Sequence, residues 1–307
     1  MRHNPVLRKL GFSATDRIAI IHADDIGMCH ATVPAFFELA AGGLVSAGSA
    51  MVPCPGFQEA AAWWRRHPEA DLGVHLTLTS EWEDYRWGPL SACDAASGLV
   101  DEFGCFYPSP ALMNRPDPKT ALREMRAQVQ HAWNAGIAVT HVDCHMFAML
   151  AHGLANAYVD LGFELGLPVL ITRQPAWIQT LTAAAIDRWE DRGMPVFDHL
   201  REMPLNHAPD SLLDAAKAIF DELPPGLTYL IMHPALDTPE LRATVGDWRE
   251  RAADYEVFRS AALRDHVSRA GIQVIGWRPI RNLMTFMCGQ AGNGAASGCA
   301  CSTRPKP

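Results

Sequence analysis

The chain has no surplus of positive charge, no apolar run long enough to cross a bilayer, no glycine-rich phosphate loop and no paired-cysteine metal motif. Each absence removes a class of function. Lys and Arg number 26 against 34 Asp and Glu, for a net charge of −8. Proteins that grip nucleic acid normally carry a basic stripe to neutralise phosphates, so no nucleic-acid partner is expected. Nowhere do about 18 uncharged apolar residues run together, and the basic start MRHNPVLRKLGF is followed by no apolar segment of signal-peptide length. The expectation is a soluble, cytoplasmic protein without a membrane partner, acting on a small molecule. The eight cysteines are dispersed without CxxC spacing and read as reduced thiols. Two of them, Cys299 and Cys301, fall in a Gly/Ala/Cys-containing tail, 288–307, expected to be flexible because it has too little apolar surface to fold.

What is present is a long hydrophobic complement, 49% of 307 residues, enough for one main domain over 1–287. Short apolar runs at 18–23, 45–52, 72–79, 138–144, 169–172, 196–198, 227–232 and 272–277 predict strands. Amphipathic segments at 31–41, 57–67, 120–135, 153–165, 211–222 and 255–270 predict helices between them, one capped by Asp210 and Ser211 and one opened by Pro118. Alternating strand and helix points to an α/β fold with parallel strands. A doubly wound sheet should carry a phosphate turn after its first strand, and neither GxGxxG nor GxxxxGKS/T occurs, so a distorted TIM-like (β/α) barrel in a single domain is expected. An insertion at 80–118, far longer than an ordinary βα loop, is expected over the active-site rim. Its aromatics, Trp82 and Trp87 among them, either stack on a sugar ring or form the loop's own small core.

Chemistry gathers where the apolar runs end. IAIIHADD closes on Asp24 and Asp25. LGVHLTLT alternates so that His75 shares a face with Gly73, Thr77 and Thr79, pointing inward. VTHVDCHM sets His141, Asp143 and His145 at spacing two on one face, and such groups are expensive to desolvate unless a metal, a ligand or a mutual network compensates. VLITR ends on Arg173 and LTYLIMHPA on His233. Polar groups at the carboxyl ends of several strands mark the rim where barrel enzymes build their sites. Two imidazoles and a carboxylate suit zinc, iron, cobalt or manganese with positions left for water and substrate, and a second aspartate can then remove a proton from that water.

HADDIG, GVHLTLT, THVDCH and LIMHPA, in this order and spanning about 18–280, resemble the YdjC-like carbohydrate deacetylases, which include chitooligosaccharide deacetylases. The resemblance implies a (β/α) barrel, one divalent metal ion and hydrolysis of an N-acetyl group from a sugar. It implies His75, His145 and Asp25 as metal ligands and Asp24 as catalytic base, with zinc or magnesium the leading ions and manganese, cobalt and iron further options. His233 is then the acid for the departing amine. His141 and Asp143 are assigned to orienting the ligands, and Arg173 to holding Asp24 or the substrate. Ile26 stands where the family commonly has phenylalanine, and Met146, Phe147 and Met149 where it often has further histidines. Two rivals remain: a metal-dependent amidase or phosphoesterase on a non-sugar substrate, and a non-catalytic sugar-binding barrel. A homo-oligomer is compatible with all three.

Overall fold

The computed structural model describes residues 3–174, 181–205 and 211–291. Its sheet contains β1 (Arg17–Ile26), β2 (Ala47–Ala50), β3 (Leu72–Leu76), β4 (Val142–Cys144), β5 (His199–Glu202), β6 (Gly226–Met232) and β7 (Gln273–Val274). The order is β4-β3-β2-β1-β6-β5, with every pairing parallel and β7 attached to β1. β1 lies at the centre because its apolar run is buried on both faces. Alternation sorts its side chains. Ile18 and Ile20 join Leu227, Tyr229, Ile231 and Trp277 inside the curve of the sheet, while Ala19, Ile21 and Ala23 pack outward with the main core.

The expected distorted TIM-like barrel is met in its α/β class and parallel sheet, but the sheet does not close as a TIM barrel does. Between β4 and the segment leading into β5, the described residues form single bridges through 169–172: Val142 to Val169 and Thr172 to Phe197. Pairing stops early because the chain leaves the extended region just past β4, where Met146 and Phe147 take left-handed φ of 50° and 53°. The run predicted at 196–198 forms its strand later, at 199–202. The run at 272–277 gives only two strand residues, because Trp277 already begins a helix with Pro279 in its first turn.

The described helices are α1 (Pro5–Leu10), α2 (Thr32–Ala41), α3 (Phe57–Arg66), α4 (Pro118–Asn134), α5 (Ala155–Leu165), α6 (Ala183–Asp191), α7 (Leu212–Asp221), α8 (Pro239–Thr244), α9 (Trp248–Arg259), α10 (Ala261–Arg269) and α11 (Trp277–Ala291). Helices α2 to α10 pack with the main core on the outer face of the sheet, whereas α1 and α11 bring Val6, Leu7, Trp277 and Ile280 into the inner cluster. The single helix expected over 255–270 is two, because Ser260 is extended and its hydroxyl caps Leu263 N, opening α10. Pro118 opens α4 as expected, two residues ahead of the predicted 120–135, with Asp117 as its cap. Asp210, Cys299 and Cys301 lie outside the described residues, and α11 carries the chain three residues beyond 288 before they end. No described helix is long and apolar enough to cross a membrane. In the 80–118 insertion, Leu99, Val100, Phe106 and Met113 are buried and join the main core.

Candidate metal centre and active site

The end of β1 shows how two consecutive carboxylates come to serve one site. Strand alternation would send Asp24 and Asp25 to opposite faces. Instead, the register with β2 shifts between Ala23 and Ile26, and Asp25 adopts a left-handed φ of 60°. Such a bulge re-aims a side chain at a modest cost that aspartate bears better than most residues. Gly27, at φ 80°, completes the turn, and a Cβ added there would lie 3.1 Å from the backbone of Gly56 and Phe57, so a side chain would meet the start of α3.

Asp25 Oδ2 accepts a hydrogen bond from Arg251 Nη1 at 2.7 Å, and Arg251 is itself held by Asp247 through Nε at 2.8 Å. Asp25 Oδ1 is buried and has no hydrogen-bond partner among the described residues. Its near neighbours are His75 Nε2 at 3.3 Å and His145 Nδ1 at 3.2 Å. The far nitrogen of each ring is tied down. His75 Nδ1 meets Asp143 Oδ1 at 3.0 Å, and His145 Nε2 meets Glu81 Oε2 at 2.8 Å. A histidine that donates its outer N–H to a carboxylate can offer its other nitrogen as a lone pair once that nitrogen has lost its proton, the arrangement typical around bound metals. Asp143 is in turn saturated, its Oδ2 accepting from Ser49 Oγ at 2.9 Å and Tyr229 OH at 3.0 Å.

Three overlapping groups among the described residues could hold a cation: Asp25 with His75 and His145, Asp24 with His75 and Asp143, and His22 with His141 and Asp143. Hydrogen bonds already occupy Asp143 and both nitrogens of His22. The first group alone offers an orphaned carboxylate oxygen, so its donors fit a divalent ion best.

Electrostatics agree with this. Burial opposes ionisation of Asp25, but Arg251 and His145 overcome it and hold its carboxyl well below the usual range. Burial likewise opposes the charged form of His75, yet Asp143 and Asp24 raise its pKa well above normal. Those two rings and three carboxylates form a charge balance that a cation can replace.

Asp24 Oδ1 is held by His22 Nδ1 at 2.7 Å, and its Oδ2 stands 3.8 Å from His75 Nε2. A cavity of about 220 Å³ opens here, walled by Asp24, Asp25, His75, His145, Trp82 and His233 among others. His233 follows β6. Its backbone N–H donates to Asp254 Oδ2 at 2.8 Å, and its Nδ1 is buried without a partner among the described residues. Burial lowers the His233 pKa; Asp25 pulls it up and Arg251 pushes it down.

The structure therefore brings together Asp24, Asp25, His75, His145 and His233, with Asp143 behind His75 and Trp82 on the cavity wall. It does not bring in Arg173, whose guanidinium pairs with Asp187 at 2.9 Å and Glu190 at 2.6 Å beside a separate cavity lined by Asn4 and Asp198. Trp87 is buried; its indole donates to Thr79 O, and its ring stands 6.3 Å from that of His145, behind the site. His141 touches no member of the Asp25 group and bonds His22 instead.

The matching family model, described as YdjC-like protein, covers residues 18–269. The chain belongs to the YdjC-like family. Among the relatives of this YdjC-like chain, a carbohydrate deacetylase of Thermus thermophilus is 32% identical over 288 residues, covering 91% of this chain and 99% of that one. A chitooligosaccharide deacetylase of Yersinia enterocolitica is 25% identical over 267 residues, covering 84% and 97%. The fold of this chain resembles that of a candidate cellobiose-phosphate cleavage protein from Enterococcus faecalis, with a TM-score of 0.72 at 21% identity, covering 86% of this chain and 98% of that one.

Sequence reasoning missed His22, Glu81, Glu202, Arg251, Ser49 and Tyr229. His22 had a signal: it sits two residues before Asp24, the same spacing that singled out His141 and Asp143. Glu202 ends β5 and so had the same strand-end signature, hidden by the misplaced strand. Arg251 had none, because nothing in a helical Asp-x-x-x-Arg spacing says that the arginine reaches a distant strand end.

Proposed function

We propose that this chain is a metal-dependent hydrolase that removes N-acetyl groups from an amino sugar or oligosaccharide. The observation that carries the reading is the orphaned Asp25 Oδ1 facing His75 Nε2 and His145 Nδ1 in a cavity shared with Asp24 and His233. The names of the relatives, carbohydrate and chitooligosaccharide deacetylases, supply the substrate class.

Asp25, His75 and His145 would hold one divalent ion. When bound, that ion supplies Lewis acidity, polarising a carbonyl and lowering the pKa of water. The protein's own groups do the rest. Arg251 and Asp247 keep Asp25 oriented, and Asp143 and Glu81 keep the two rings oriented. Asp24 Oδ2, not engaged by His22, takes the proton from the attacking water. His233 Nδ1 passes a proton to the departing amine. Its lowered pKa keeps the resting ring mostly neutral near pH 7, so the proton it passes is one it first takes up from the reaction, such as the one Asp24 removes from the water, and the charged ring then gives it up readily. Trp82 offers the cavity an aromatic face for the sugar ring. A phosphoesterase is less well supported, since such enzymes commonly use two-metal clusters and this donor set suits a single ion.

The test is metal analysis of the purified protein together with acetate release from a panel of N-acetylated mono- and oligosaccharides. The expected result is about one ion per chain and release that a chelator stops. Asp24→Asn should abolish release while retaining the ion. Acetate release that survives complete removal of metal would overturn the mechanism.

A further inference from the structure

Two histidines outside the proposed metal group are wholly buried in the barrel interior and face each other, His22 Nε2 to His141 Nε2 at 2.8 Å. Burying a pair of imidazoles is costly unless every ring nitrogen is satisfied, and here every one is. His22 Nδ1 meets Asp24 Oδ1 at 2.7 Å, and His141 Nδ1 meets Thr140 Oγ1 at 2.9 Å. Thr140 Oγ1 continues to Asp71 Oδ1, and Asp71 Oδ2 accepts from Arg278 N at 2.9 Å. The packing is built for this pair. Tyr229 lies 4.8 Å from the His22 ring, Trp277 stacks on His141 at 4.6 Å and 10°, and Gly73 leaves the space that the His141 ring occupies. The other carboxylate near His22, Asp143 Oδ2 at 3.8 Å, is already occupied by Ser49 and Tyr229.

Proton counting restricts what this chain of groups can be. Two facing Nε2 atoms can share only one proton, and an ionised Asp24 can only accept. With Asp24 ionised, three arrangements with the same number of protons satisfy all contacts. In one, Asp71 is protonated and both rings are neutral, each group donating towards Asp24. In the others, that proton has moved along the chain, so that Asp71 is ionised and either His141 or His22 is doubly protonated. All three leave a proton on His22 Nδ1, directed at Asp24 Oδ1. Burial, which raises the Asp71 pKa, favours the first.

We propose that His22 and His141 are positioning residues: a buried imidazole pair that fixes the Asp24 carboxylate for proton removal and links it through Thr140 to Asp71 at the opposite mouth of the barrel. Oδ1 is anchored to the pair, and Oδ2 is thereby turned to the cavity. The inference rests on Asp24 being the base.

The test uses the zinc-loaded full chain. Long-range ¹⁵N–¹H spectra should show His22 protonated at Nδ1, and an unprotonated Nδ1 would overturn the proposal. His22→Leu should lower kcat about 10- to 100-fold, the worth of a hydrogen bond to a charged group, with KM and zinc content unchanged. His22→Asn, whose amide N–H can replace Nδ1–H, should recover most of that loss. Should His22→Leu fail to fold, the same comparison is made with His141→Gln, which keeps a donor towards His22, and His141→Leu, which does not. Equal kcat in the donor-bearing and donor-free variants, or no loss in either, would refute positioning. Full activity in Asp24→Asn would instead remove the base on which the inference rests.

Discussion

Metal binding should expel protons, and the hydrogen bonds around the two rings say how many. Burial disfavours the charged form of His145, but Glu81 and Asp25 outweigh it and raise its pKa to about 9. Asp143 and Asp24 do the same for His75, raising it well above the normal value. Both rings of the ion-free chain are therefore protonated at pH 7, whereas a ligand nitrogen must offer a lone pair. Zinc binding at pH 7 should release close to two protons, and its apparent affinity should rise by about 100-fold per pH unit until the rings begin to lose their protons unaided. Isothermal calorimetry in buffers of different ionisation enthalpy counts the protons. Glu81→Gln removes the charge beside His145 and should bring the count towards one. Stability carries the same signature with opposite signs in the two forms. In the ion-free protein, a histidine whose folded pKa exceeds its unfolded value stabilises fully below about pH 6.5 and loses that contribution as pH rises through about 9. For His145 this amounts to roughly 3 kcal/mol. In the zinc-loaded protein, affinity and the stabilisation linked to it grow over the same range. The two Tm profiles should therefore diverge between about pH 6.5 and 9. Zinc binding without proton release at pH 7, or parallel Tm profiles, would refute the reasoning.

Arg251→Met leaves Asp25 Oδ2 buried without its cation, and urea unfolding should show a loss of about 3–5 kcal/mol, partly restored by zinc. Gly73→Ala places a Cβ 2.6 Å from the His141 ring; the expected cost is about 1–3 kcal/mol by chemical denaturation, an overpacking value. Glu202, on the cavity wall, has its pKa raised to about 7 by burial and by the charges of Asp24 and Asp25. A raised carboxyl stabilises at low pH and loses that contribution as pH climbs from the ordinary carboxylate range through about 7. Glu202→Gln should flatten this part of the Tm profile and be the more stable form at pH 8, and an unchanged profile would count against the burial argument.

Much of the site was legible because strand periodicity is a local property. Runs that end in polar groups located Asp24, Asp25, His75, His145 and His233, and spacing of two put His141 and Asp143 on one face. Helix and strand existence followed from apolar patterning, and the α/β class from their alternation. What no local rule contains is which strand ends meet, and how. The bulge that turns Asp24 and Asp25 to one site depends on the β1–β2 register. The approach of Arg251 to Asp25 spans 226 positions, and that of His22 to His141 spans 119. Arg173 carried the same strand-end signature as His233, yet it faces acidic partners elsewhere, because the 169–172 segment bridges its neighbours instead of joining the ladder. The amino-acid order by itself determined which side chains share a face along each regular strand, since that needs only a period of two and fails where β1 bulges at Asp25; the tertiary structure alone decided which of them share protons, since a hydrogen bond forms between groups that packing has brought within about 3 Å, whatever their separation along the chain.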